Sequence, residues 1–299
     1  MTTATIPTVH LNSSVELPAL GLGVFQSPPE ETVGAVEAAI GNGYRLIDTA
    51  AAYGNEREVG EGIRRSGADR GEMFVTTKLW ISDYGHEPAL RGFEGCLRRL
   101  GFDYVDLFLL HHPMPSDFDA TIAAYKAAEQ MLAEGRTRAI GVSNFSKQHL
   151  ERLTSQTDVV PAVNQVELHP FFTQPGLRDF HAAHGIVTQA WSPLGGVNRY
   201  RPTDANDVKN PLGHPRVVEL ASKYGKTPAQ IVLRWHIESG TSAIPKSVRP
   251  DRIKENIQIF DFELTPDEVA ALDALDTGVR GGPDPELIDR QRYPFKVEN

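Results

Sequence analysis

At 299 residues, with 40% apolar and 23% charged side chains, the chain is long enough for one large barrel or two smaller domains and has the balance of an ordinary soluble enzyme. Its formal net charge of −9 excludes the basic surface that nucleic acid or an anionic membrane demands, and no apolar run reaches the roughly 18 to 20 residues needed to span a bilayer. The lone Cys96 permits neither an intramolecular disulfide nor a thiolate cluster for zinc, and the polar opening Met1-Thr2-Thr3-Ala4-Thr5 lacks the regions of a signal peptide, so a cytoplasmic protein with no metal is expected.

In chain order, Val9-His10-Leu11-Asn12-Ser13-Ser14-Val15-Glu16-Leu17 alternates about an Asn-Ser-Ser turn and predicts a hairpin. From there strand-like and helix-like runs take turns. Strands are predicted over Leu20–Phe25, Arg45–Asp48, Phe74–Lys78, Val105–His111, Ala139–Ser143, Ala162–Glu167, Val187–Trp191 and Ser242–Lys246. Between them apolar residues recur at helical spacing, as in Val33, Val36 and Ile40, Val59 with Ile63, and Ile122, Tyr125 and Ala128. Cys96 falls in one of these helices, Leu90–Leu100, as a small buried side chain. Thr227-Pro228-Ala229-Gln230 and Thr265-Pro266-Asp267-Glu268 each mark a helix start: a Thr cap, a proline at the first helical position and a Gln or Glu at the third.

Eight strands alternating with helices over about 250 residues predict an α/β fold, a single (β/α)8 TIM barrel with an N-terminal β-hairpin and a C-terminal tail, forming one domain over residues 1–299. The rival, a doubly wound sheet, needs a glycine fingerprint that opens its first helix. Gly21-Leu22-Gly23 fails that test, because Phe25-Gln26-Ser27-Pro28-Pro29 intervenes. Gly195–Pro215 is a long polar insertion expected to serve as a lid or cofactor clamp, and Thr277–Asn299 is a tail without a readable motif.

Active sites of such barrels lie at the C-terminal strand ends. Asp48, Lys78 and His111 each close an apolar run there, and Tyr53 follows Asp48 by five residues. An Asp48–Lys78 pair by itself fits a structural salt bridge equally well. With Tyr53 beside it, the lysine ammonium is expected to lower the phenol's pKa and so tune a general acid, while Asp48 keeps the lysine charged and aimed. His111 reads either as a core histidine or as a neutral imidazole that donates to a substrate carbonyl; the three neighbours favour the second. His112 is read as structural. In this acidic chain the cations Lys246, Arg249, Arg252 and Lys254 open the helix after the last strand and form a local anion site.

At these residues the sequence resembles the aldo-keto reductases. Leu20-Gly21-Leu22-Gly23-Val24-Phe25, Asp48-Thr49-Ala50-Ala51-Ala52-Tyr53-Gly54-Asn55-Glu56, Gly141-Val142-Ser143-Asn144-Phe145, Asn164-Gln165-Val166-Glu167-Leu168-His169-Pro170 and Ile244-Pro245-Lys246-Ser247 are similar to signatures of that family. The pattern is most similar to the bacterial branch that includes the 2,5-diketo-D-gluconate reductases. The resemblance implies a tetrad of Asp48, Tyr53, Lys78 and His111 with Tyr53 as proton donor, and hydride supplied by NADPH. It further implies that the nicotinamide stacks on Trp191 and that Ser143, Asn144 and Gln165 bond its carboxamide. Ser192 and Leu194 would also contact the cofactor. Lys246, Ser247, Val248 and Arg252 would hold the 2′-phosphate end, and Glu255 with Asn256 the adenine.

Phe25, Trp80 and His111 are the candidate walls for a small carbonyl substrate. Val24, where many relatives carry threonine, the insertion after Gly195 and the tail after Thr277 depart from the pattern and bear on specificity. A monomer is expected. Two other readings stay open: a Schiff-base lyase acting through Lys78, and a non-catalytic protein that binds cofactor and a partner. Pairing with Asp48 weighs against the first, because a charged amine is a poor nucleophile.

Overall fold

The computed structural model describes residues 6–196 and 210–297, so most of the predicted lid, residues 197–209, lies outside the described residues. Strands β1 (Thr8–His10) and β2 (Glu16–Pro18) pair antiparallel with Val9 opposite Leu17, and Ser14 takes the left-handed conformation that the tight turn needs. Alternation places Leu11, Val15 and Leu17 inward, where they pack with Leu46, Phe74, Leu107, Leu109 and Ile244. The hairpin therefore plugs the lower end of a barrel.

That barrel is built from β3 (Leu22–Gly23), β4 (Leu46–Asp48), β5 (Phe74–Leu79), β6 (Val105–Leu110), β7 (Thr137–Ser143), β8 (Val163–Glu167), β9 (Val187–Trp191) and β10 (Ser242–Ala243). Each pairs parallel with its neighbour in chain order. Between them run α1 (Pro29–Gly41), α2 (Glu56–Ser66), α3 (His86–Leu100), α4 (Phe118–Ala133), α5 (Lys147–Thr154), α6 (Pro175–Ala183), α7 (Pro215–Tyr224) and α8 (Pro228–Glu238). Helices α9 (Pro250–Ile257) and α10 (Pro266–Asp273) follow the last strand. Their apolar faces and the outward side chains of the strands form the larger, outer core.

The two strands that close the ring are shorter than the sequence predicts. They meet only at Leu20 opposite Ala243 and Gly23 opposite Lys246. Pro245 has no N–H to offer the ladder there, and Gly23 N–H donates to its carbonyl at 3.1 Å. A side chain on Gly23 would start 2.8 Å from the Ile244 carbonyl oxygen, so glycine is required at this seam by close approach and not by a phosphate loop.

Both predicted capping boxes form, Thr227 with Gln230 and Thr265 with Glu268. A third, Ser146 with His149, opens α5. Cys96 is buried within α3. Among the described residues no helix is long and apolar enough to cross a membrane.

Candidate active site

Asp48 ends β4 opposite Thr76 of β5, and Lys78 lies two residues further along β5. Two residues is one full strand period, so both side chains point into the barrel interior at its upper end. Lys78 Nζ is fully buried and donates to Asp48 Oδ1 at 2.6 Å, to the Thr49 carbonyl at 2.8 Å and to Tyr53 Oη at 3.3 Å. All three ammonium protons are thereby met.

Tyr53 is placed by the turn that follows β4. A short 3-10 turn, Ala51–Tyr53, stops at Gly54 in the left-handed conformation. Asn55 then pins the turn: it accepts from Thr49 Oγ1 and donates to the carbonyls of Val24 and Ser27. The Tyr53 ring meets Phe25 edge-on at 5.0 Å and His111 at 5.6 Å. His111 follows the last ladder residue of β6, and its N–H continues the pairing to Leu79. The acid, phenol, amine and imidazole expected from the strand ends thus converge at one mouth.

The electrostatics differ from expectation in one respect. Burial pushes the Tyr53 phenol above its ordinary pKa, and the downward pull of Lys78 does not cancel it, with Asp48 adding to the rise. The phenol is therefore held in its protonated form instead of being brought toward neutrality. Burial alone would lower the pKa of Lys78, but the Asp48 charge and the tyrosine outweigh it and raise it. Asp48 is pushed up by burial against the opposing effects of Lys78 and Gln165. Donors on both carboxylate oxygens, Lys78 on Oδ1 and Gln165 on Oδ2, fit an ionised Asp48 facing an ammonium. Burial, the adjacent His112 and Lys78 hold His111 well below its ordinary pKa, so it is a neutral imidazole. His112 stacks on it at 5.0 Å and is pushed down to about 3, mainly by burial.

Asp48, Tyr53 and His111 border a cavity of about 310 Å³ together with Phe25, Ser143, Asn144, Gln165, Trp191, Ser192, Leu194 and Lys246. A larger hollow of about 540 Å³ lies at the opposite end, under the hairpin, and none of the strand-end residues reaches it. Trp80, expected as a pocket wall, does not border the cavity: it is buried between His111 and Phe295, with ring centroids 5.2 and 4.6 Å away. Val24 is fully buried and likewise outside the lining.

The residues expected at a carboxamide are tied to one another. Gln165 Nε2 donates to Asp48 Oδ2 and to Gln189 Oε1, both at 2.7 Å. Asn144, in the left-handed conformation, donates to the His111 carbonyl and to Ser143 Oγ, while its Oδ1 accepts from Trp191 Nε1 at 2.8 Å. Ser247, Val248, Arg252, Glu255 and Asn256 do not border the cavity but lie just before or on α9. Glu255 Oε1 there accepts from Thr227 Oγ1, and Arg249 pairs with Asp251.

Sequence reasoning missed Gln189, whose amide carries the network on to Ser242. A polar residue in the middle of the apolar run Val187–Trp191, one strand period before Trp191, was the available signal. It also missed His236, held neutral at about 3 by burial, which bonds the Pro193 carbonyl in the loop that borders the cavity. Among the described residues no cluster of His, Cys, Asp or Glu is arranged to hold a metal.

Comparison with known proteins agrees with the geometry. Residues 19–277 match the aldo/keto reductase family. The chain is 54% identical to morphine 6-dehydrogenase of Pseudomonas putida over 288 residues, covering 96% of this chain and 97% of that one. It is 44% identical to the methylglyoxal reductase DkgA of Escherichia coli strain K12 over 281 residues, covering 94% and 98% respectively. A crystal structure of a Gox0644 mutant in complex with NADPH superposes with a TM-score of 0.87 at 40% identity, covering 96% of this chain and all of that one. With the fold, the strand-end residues and near-complete coverage in agreement, the chain belongs to the aldo/keto reductase family.

Proposed function

We propose that this protein reduces aldehydes and ketones, with 2-oxoaldehydes, keto sugars or keto esters as the substrate class and Tyr53 as the proton donor. Family membership makes it an oxidoreductase that uses NADPH. The cavity suits that cofactor. Trp191 offers a half-buried, flat indole face beside Asn144 and Gln165. Lys246 faces the same space and forms no ion pair among the described residues; burial pulls its ammonium below the ordinary range against the weaker opposing charge of Glu31, so a phosphate there would stabilise it.

Ser143, Asn144 and Gln165 are assigned to the carboxamide, with Gln165 Oε1, which accepts no hydrogen bond among the described residues, as its acceptor, and Trp191 to the ring, flanked by Ser192 and Leu194. Lys246, Ser247, Val248 and Arg252 are assigned to the 2′-phosphate end, and Glu255 and Asn256 to the adenine. When bound, the reduced nicotinamide supplies a hydride to the carbonyl carbon. Tyr53 presents its phenolic proton to the carbonyl oxygen. Lys78, kept charged by Asp48, stabilises the phenolate left behind, and neutral His111 donates to the same oxygen and orients it. The chain's single cysteine, buried and unpaired, accords with a reducing, cytoplasmic setting.

The observation that carries this reading is the triple hydrogen bonding of Lys78 Nζ, one arm of which reaches Tyr53. The same arrangement disfavours a Schiff-base lyase, since an ammonium with every proton committed is no nucleophile. The test is NADPH consumption with methylglyoxal, the substrate in the Escherichia coli relative's name. Tyr53→Phe should lower kcat by about 10²- to 10⁴-fold and leave NADPH affinity nearly unchanged. Turnover that survives the change removes Tyr53 from the scheme. A second reading, oxidation of a secondary alcohol with NADP⁺, is favoured by the 54% identity to a dehydrogenase, and appearance of NADPH with cyclic alcohols would show it.

A further inference from the structure

The family match ends at residue 277, and the segment that follows runs back over the barrel mouth. Thr277 bonds the Phe171 carbonyl, Arg280 covers the Phe172 ring at 4.9 Å, Pro283 borders the cavity, and Arg290 donates to the carbonyls of Ile81 and Tyr84 beyond β5. The point of attachment nearest the cavity is a buried acid. Glu167, the last residue of β8, is fully buried, and its carboxylate accepts from Gly281 N–H at 2.7 Å, Gly282 N–H at 2.8 Å and His169 Nε2 at 3.1 Å. A carboxylate removed from water is costly unless several donors meet it, and two of the three here are tail amides. The acid and this piece of tail therefore stabilise each other.

Glu167 and Trp191 are register partners on neighbouring strands, and Gly282 sits against both. A Cβ on Gly282 would fall 2.5 Å from Trp191 Cη2 and 2.9 Å from Glu167 Oε2. The indole is thus held at its two ends. Asn144 Oδ1 takes its Nε1–H at 2.8 Å, and the backbone of Gly282, fixed by Glu167, blocks its benzo edge.

We propose that Glu167 and Gly282 are positioning residues for the reaction: Glu167 clasps the tail so that Gly282 sets the tilt of the Trp191 ring and Pro283 the adjoining cavity wall. The proposal rests on Trp191 being the face for the nicotinamide. Neither residue touches reacting atoms. Their effect passes through the indole, whose misplacement would spoil the alignment of hydride donor and carbonyl.

Gly282→Ala is the sharper variant. Gly282 is outside the left-handed region, so alanine meets no backbone strain and acts only through contact with Trp191 and Glu167. Glu167→Gln keeps the shape but sets an NH₂ group against a tail amide. The protein is labelled with 5-fluorotryptophan, and the three fluorine resonances, from Trp80, Trp191 and Trp235, are read without cofactor. Gly282→Ala should move the Trp191 resonance and leave that of Trp235 in place. NADPH affinity should fall roughly three- to tenfold in both variants, and kcat by about tenfold or more, with a smaller change in the carbonyl KM. A tail that only stabilised the fold would lower the melting temperature without moving either the resonance or the affinity.

The proposal is overturned if Gly282→Ala leaves NADPH affinity within about twofold of the parent protein. It is also overturned if folded Glu167→Gln does so; should that variant not fold, Gly282→Ala decides alone. Trp191→Leu separates this from the underlying reading: if that change leaves NADPH affinity intact, Trp191 is not the cofactor's platform, whatever the tail does.

Discussion

Lys78 meets three acceptors with three protons, and the groups around it are fixed in the ionisation states that carbonyl reduction needs. Reduction requires a protonated Tyr53 and, in the scheme above, a neutral His111. Burial holds the phenol above its ordinary value of 10.0 and the imidazole well below its ordinary 6.5. A raised tyrosine pKa keeps the proton on as pH climbs toward 10.0, and a lowered histidine pKa keeps it off down past 6.5. The pH profile of kcat for reduction, at saturating NADPH and carbonyl, is therefore expected to be flat from pH 6.5 to about 9, roughly one unit below the ordinary tyrosine value. A break within that window that vanishes in His111→Asn would mean that His111 titrates there and is not the neutral donor described. Asp48, Lys78 and His111 were legible in the sequence because each is a charged or titratable group closing an apolar strand. The direction of the Tyr53 shift was not, because it depends on how much water the turn and Phe25 exclude, which one-dimensional spacing does not record.

Elements carry the site through their ends. Strand β5 presents Lys78, the turn after β4 presents Tyr53, and α8 and α9 are joined where the cofactor's phosphate end is assigned. Thr227 caps α8 by accepting from Gln230 N–H, and its hydroxyl proton goes to Glu255 of α9 at 2.8 Å. Gln230 Nε2 adds bonds to the Glu255 and Gln258 carbonyls. Thr227→Ala should cost about 1 kcal/mol through the lost cap, a fall in melting temperature of roughly 2–4 °C, and free Glu255 from its partner. Thr227→Ser should restore most of it. A melting curve for the alanine variant that overlays the parent would show that the box does not hold α8. This start was readable because Thr-Pro-x-Gln is a local pattern. The Glu167 clasp was not readable, since the two donors that tie it to the tail are backbone amides 114 and 115 residues away with no side-chain signature. For the same reason the tail showed no motif: what anchors it is mostly backbone, arginine heads and one aromatic stack.

At the scale of the whole molecule, three separate parts of the chain depend on one ring closing. The hairpin inserts Leu11, Val15 and Leu17 into the inner core, the tail places Ile288 in the outer one, and both cores share the barrel strands as their common wall. The seam of that ring is short, with Gly23 and Leu20 meeting Lys246 and Ala243. We therefore propose that hairpin, barrel and tail unfold as one cooperative unit whose weakest joint is the seam, although Gly23 also pairs in register with Asp48 and borders the cavity, so a change there reaches the mouth as well. Gly23→Ala sets a methyl 2.8 Å from the backbone oxygen of Ile244, which cannot rotate away, so the strands must part; a cost of about 1–3 kcal/mol is expected. The three tryptophans report from different places: Trp80 under the tail, Trp191 at the mouth and Trp235 in the buried face of α8. Urea unfolding followed by far-ultraviolet circular dichroism and by tryptophan emission should give coincident curves in the parent, and in Gly23→Ala both should shift together to lower urea with the same slope. Emission that changes well before ellipticity would mean that the tail or mouth comes away first, and the molecule would then be two cooperative units held together at the rim.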